Sequence, residues 1–146
     1  MRQPAFLDTN VFVYADDQAE PRKRALALSL IADLQRSGTG IVSLQVLQEY
    51  FVTATRKLGV PADIAQRKVA LMARMPLVRF GAEDVIRAVE LHRLHGVSFW
   101  DAMILHAAQL GGAHILYRED LQTGSQIGSV RIVNPFQAES NGAAFL

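Results

Sequence analysis

The chain has 146 residues, half of them hydrophobic and 20% charged, with 15 Lys and Arg against 14 Asp and Glu and no cysteine. That length suits one domain that buries enough surface to fold without staples, and the composition excludes a disordered or collagen-like chain. Without cysteine there are no disulfides, thiolate zinc sites or cysteine nucleophiles, and a net charge of +1 argues against an overtly polybasic nucleic-acid binder.

In chain order, short apolar runs alternate with amphipathic stretches. Pro4–Leu7 predicts a strand ending at Asp8, and Asn10–Ala15 a short helix. Pro21 opens a second helix, with Ala27, Leu30, Ile31 and Leu34 on one face and a stop at Ser37-Gly38. Gly40–Val42 is a brief strand, and Ser43 caps a helix whose apolar stripe is Leu47, Tyr50, Phe51 and Ala54. Pro61 starts another helix, with Ala62, Ala65, Val69 and Met72 on one face, and Pro76 closes it. Leu77–Phe80 predicts a strand. The next helix carries Glu83 and Asp84 in its first turn, buries Val85, Ala88, Val89 and His92, and ends at Gly96. Ser98-Phe99-Trp100-Asp101 has the form of a capping box opening an apolar helix to Leu110, which Gly111-Gly112 terminates. His114–Tyr117 and Val130–Val133 are the last strands, separated by a polar loop. Residues 1–136 read as one domain and 137–146 as a frayed tail. The apolar stretches are too short or too interrupted for a signal-peptide core or a membrane span, so a cytoplasmic protein is expected.

Strands separated by helices predict right-handed crossovers and a parallel sheet covered on both faces, an α/β/α sandwich in three layers. Such sheets bind ligands beyond the carboxyl ends of their strands. Asp8 directly follows the first strand, Asp120 follows the His114–Tyr117 strand, Asp101 lies in the first turn of a helix, and Glu49 lies one to two turns into another. Four carboxylates in one pocket repel each other unless a cation joins them, and oxygen-only donors favour Mg²⁺ or Mn²⁺ over zinc. Each acid also has an ordinary reading. Asp101 completes the capping box with Ser98, Asp8 caps the short helix, Glu49 faces solvent, and Asp120 belongs to a turn or an exposed ion pair. Their shared position at strand ends and helix starts is what favours a site.

The run Phe6-Leu7-Asp8-Thr9-Asn10-Val11-Phe12-Val13-Tyr14-Ala15 resembles the opening motif of PIN-domain ribonucleases, particularly the VapC-type toxins of toxin–antitoxin pairs. The resemblance continues through residues 43–51, 98–104, 116–121 and 133–136, in the right order and over nearly the whole chain. It implies a mainly parallel five-stranded sheet, with Asp8, Glu49, Asp101 and Asp120 around Mg²⁺ or Mn²⁺, and endonucleolytic cleavage of RNA by metal-activated water. Asp8 and Asp101 would be direct ligands, with Glu49 and Asp120 completing the cage. Thr9 and Asn10 would steady the site by hydrogen bonds, and Ser98 would orient Asp101. The implied partners are an RNA substrate and a cognate antitoxin of a type II pair that covers the acidic groove, with a homodimer as a further family expectation. The competing reading is a PIN-fold module that binds RNA or protein without cleaving.

Arg118 departs from the pattern, since many relatives carry Ser or Thr there. It can pair with Glu119 or Asp120, contact a phosphate, or point away, and either Glu119 or Asp120 can be the fourth acid; spacing favours Asp120. His92 and His95 have helical spacing but more commonly pack or face solvent, and His106 reads as a partly buried residue of its helix. No Walker-type phosphate loop and no Gly-x-Ser-x-Gly elbow is present. If the four acids bind metal, 15 basic residues face only the ten others, leaving +5 toward RNA.

Overall fold

β1 (Ala5–Leu7) is buried at every position and passes through Asp8 alone into α1 (Thr9–Tyr14). These residues belong to a computed structural model that describes residues 3–119 and 123–137. α2 (Pro21–Ser37) begins with proline at its first position, where the missing N–H costs nothing, and buries Ala27, Leu30 and Leu34. β2 (Gly40–Ser43) runs beneath it. A Cβ on Gly40 would meet Met75 Cε at 2.6 Å and Leu34 Cβ at 3.0 Å, so glycine lets β2 lie close beneath α2 without either side chain shifting. Ser43 ends β2 and caps α3 (Leu44–Arg56), accepting the Val46 N–H at 3.4 Å. Next come α4 (Ala62–Met72), β3 (Leu77–Val78), α5 (Ala82–His95), α6 (Phe99–Leu110), β4 (Ile115–Tyr117), β5 (Gln126–Ile127) and β6 (Val130–Val133).

The sheet order is β3-β2-β1-β4-β6-β5. The chain moves outward from β1 through β2 to β3, then returns across the sheet to β4 on the other side of β1. Right-handed crossovers therefore place α1 to α4 on one face and α5 and α6 on the other. Packing agrees: α1 touches α2 and α3, α3 touches α4, and α5 packs on α6. Phe6, Leu7, Leu116 and Ile132 from the sheet, Leu30 and Leu34 from α2, and Ile104 and Leu105 from α6 form the centre of the core.

The five expected strands are mutually parallel, and one more exists in the loop read as polar. β5 pairs antiparallel with β6, Ile127 opposite Val130, leaving Gly128-Ser129 as a two-residue turn in which Gly128 supplies a positive φ of 59°. Several details differ from expectation. α4 ends at Met72 rather than at Pro76, and β3 has two residues rather than four. Phe51 and Ala62 are exposed, and α5 buries only Ala88, leaving Val85 38% and Val89 41% exposed and His92 in solvent. α5 sits outside the sheet against α6, so one narrow line of its surface suffices for packing. Of the expected tail only Gln137 is described; the remainder lies outside the described residues.

Candidate active site

β1 and β4 flank the point where the strand order reverses, and a crevice opens there at their carboxyl ends. Their parallel register sets Leu7 opposite Tyr117, and the Asp8 N–H donates to the Tyr117 carbonyl at 3.2 Å. The next residues, Asp8 and Arg118, therefore leave the sheet side by side. Asp8 is 3% exposed and occupies the N-cap position of α1, yet its carboxylate makes no capping bond. Instead it faces Arg118, whose Nη1 lies 3.3 Å from Asp8 Oδ2.

Asp101 approaches from the opposite face. Ser98 caps α6 by accepting the Asp101 N–H at 3.1 Å, which fixes Asp101 in the first turn. Its carboxylate accepts from Arg118 Nη2. Arg118, 9% exposed, thus bridges the two aspartates, and its backbone N–H is held by the Val133 carbonyl at 3.0 Å. Among the described residues its Nε is buried without a hydrogen-bond partner.

Glu49 comes from the second turn of α3. Thr9 Oγ1 donates to its Oε1 at 2.8 Å, and Gln45, one turn earlier on α3, donates Nε2 to its Oε2 at 3.2 Å. The neighbouring Tyr50 is buried and donates its hydroxyl to Asp16 at 2.5 Å, and Asp16 also pairs with Lys68 of α4. Burial, reinforced by that carboxylate, pushes the Tyr50 phenol well above its ordinary value, so it stays protonated. This bond ties α3 to the turn after α1 and fixes the rotation that aims Glu49 inward.

Asp8, Thr9, Asn10, Glu49, Asp101 and Arg118 line a single cavity of about 460 Å³. Gln45 and the exposed Trp100 share its wall, and the sequence singled out neither as a site residue. Gln45 was legible in principle, being four residues before Glu49; Trp100 carries only the weaker signal of a large aromatic beside Asp101. Asp120 lies outside the described residues. Glu119 does not line the cavity. It accepts Tyr14 Oη at 2.8 Å and Lys23 Nζ at 2.6 Å, burial and the Glu119 bond raise the Tyr14 phenol, and the same bond raises the Lys23 ammonium. Arg118 pairs with neither Glu119 nor a solvent site, but with the two acids named from the earlier motifs. Among the described residues, no three His, Cys, Asp or Glu side chains converge closely enough to hold a metal ion.

The sequence matches the PIN-domain family over residues 5–122. The chain belongs to the PIN-domain family. No curated protein matches it in sequence. Among solved structures it resembles Mycobacterium tuberculosis VapC20, described as a Sarcin-Ricin loop cleaving toxin, with a TM-score of 0.63 and 22% identity over 80% of this chain and 89% of that one. It also resembles a chain of a toxin–antitoxin complex from Klebsiella pneumoniae, with a TM-score of 0.66 and 21% identity over 91% of this chain and 98% of that one. PIN domains are typically metal-dependent. The donors here suit a hard cation, since Asp8, Glu49 and Asp101 offer only carboxylate oxygens to one cavity. The place between Asp8 and Asp101 is taken by the Arg118 guanidinium.

Proposed function

We propose that this PIN domain is an Mg²⁺- or Mn²⁺-dependent endoribonuclease, the toxin of a type II toxin–antitoxin pair. One observation carries the reading: three separate elements bring Asp8, Glu49 and Asp101 to one cavity at the carboxyl edge of the sheet. Asp8 and Asp101 would hold the ion, with Glu49 and Asp120 completing the cage. The ion, when bound, would supply activation of water and charge stabilisation at the scissile phosphodiester. The chain's own groups do the positioning. Thr9 and Gln45 occupy both oxygens of Glu49, which fixes its orientation. Ser98 holds Asp101 at the helix start, and the exposed Trp100 offers an RNA base a stacking surface beside the acids.

An antitoxin is the proposed protein partner. The apolar groove between α3 and α4, lined by Leu44, Leu47, Phe51, Val52 and Val69 with a volume of about 760 Å³, supports a surface for it. A module that binds without cleaving is favoured by one fact, the neutralisation of two aspartates by Arg118. A panel of structured RNAs incubated with Mg²⁺ or Mn²⁺ decides between them. The nuclease reading expects cleavage by the native chain, none with Asp8→Asn or Asp101→Asn, and none in excess chelator. Cleavage that persists in both folded variants with chelator refutes the metal mechanism, and no cleavage of any RNA by the native chain favours the binding module.

A further inference from the structure

We propose that Arg118 is a resident counter-cation that competes with the divalent ion for Asp8 and Asp101, and so sets the affinity of the site for metal. This rests on the metal-dependent reading above. Arg118 engages one oxygen of each aspartate, Asp8 Oδ2 at 3.3 Å through Nη1 and Asp101 Oδ1 through Nη2. A guanidinium keeps its charge at any physiological pH, so Arg118 cannot yield by losing a proton. A dication entering beside it would meet a buried positive charge, and one oxygen of each aspartate would already be engaged. Guanidinium and metal therefore exclude one another.

The seat is also incomplete, which makes exchange reasonable. Among the described residues Nε is buried without a partner, and the guanidinium is held there by its two terminal nitrogens. Asp101 is the more exposed of the two acids, with 24% of its side chain open against 5% for Asp8, so the cavity side offers a way out. Withdrawal requires only side-chain rotation, because the Arg118 backbone stays hydrogen-bonded to Val133.

The test is Mn²⁺ binding, read by loss of the free-ion paramagnetic resonance signal. It is measured on the native chain, Arg118→Gln, Arg118→Ser and Asp8→Asn/Arg118→Gln, each checked for folding by circular dichroism. Both single variants are expected to bind Mn²⁺ at least about tenfold more tightly than the native chain, with the gain lost in the double variant. Mn²⁺ is also expected to raise the melting temperature of the single variants at concentrations that leave the native chain unmoved. A merely structural arginine would lower the melting temperature without changing affinity. Equal affinity of the native chain and both variants overturns the competition and leaves the nuclease reading intact. Absence of Mn²⁺ binding to any of them overturns both.

Discussion

Removing the Arg118 charge costs more stability than removing the Asp8 charge, although the two groups face each other across the same contact. The reason lies in the count of partners. Arg118 serves two aspartates, whereas Asp8 shares Arg118 with Asp101. At about 4 Å and an effective dielectric constant of about 20, each Arg–Asp pair contributes about 4 kcal/mol of gross attraction. Arg118→Gln forfeits both attractions and leaves the buried Asp8 facing the partly exposed Asp101, for an expected loss of about 3–5 kcal/mol. Asp8→Asn forfeits one attraction, relieves the repulsion between the aspartates, and leaves Arg118 still paired with Asp101, for a net loss of about 1 kcal/mol. The double variant should lose less than Arg118→Gln alone. Urea unfolding in chelator, with the slope compared across all four proteins, reads these differences directly. A loss below about 0.5 kcal/mol for Arg118→Gln, or a larger loss for Asp8→Asn, would refute the bridged arrangement.

Two further predictions concern the scaffold. Tyr50→Phe removes the hydroxyl that anchors α3 to Asp16, with an expected loss of about 1–2 kcal/mol in urea unfolding and a weaker hold on Glu49; an unchanged midpoint would show that α3 is fixed by packing alone. Asp84 is held below its ordinary value of 3.8 by its bond with His106 and by the Gly81 N–H. Its stabilisation is therefore present above about pH 4 and is lost as pH falls through its lowered folded value. Asp84→Asn should flatten that part of the acid-unfolding profile, and a profile identical to the native one would contradict the assignment.

Much of the fold was legible because it rests on local signals. Pro21, Ser43 and Ser98 mark helix starts that the structure places at or one residue from them, and the five parallel strands are apolar runs following glycine, proline or polar turns. β5 was not legible, since Gln126-Ile127 is too short to show alternation and only Gly128-Ser129 signals the turn. The exposed faces of Phe51, Val85 and Val89 were misread for a different reason. Helical periodicity gives the apolar side of a helix, but not how much of that side a neighbouring element covers. At the site, Asp8, Glu49 and Asp101 do line one cavity, as their positions after strands and at helix starts suggested. The partner of Arg118 depends on the register of β1 against β4, a long-range pairing that a single sequence does not carry.

Diffraction from crystals grown in Mn²⁺, with anomalous data at the manganese edge, tests the central claim most directly. The expected result is a peak within bonding distance of both Asp8 and Asp101, with the Arg118 guanidinium displaced from between them. Arg118 still bridging the two aspartates at saturating Mn²⁺, with no manganese peak in the cavity and RNA still cleaved by the same preparation, would contradict it.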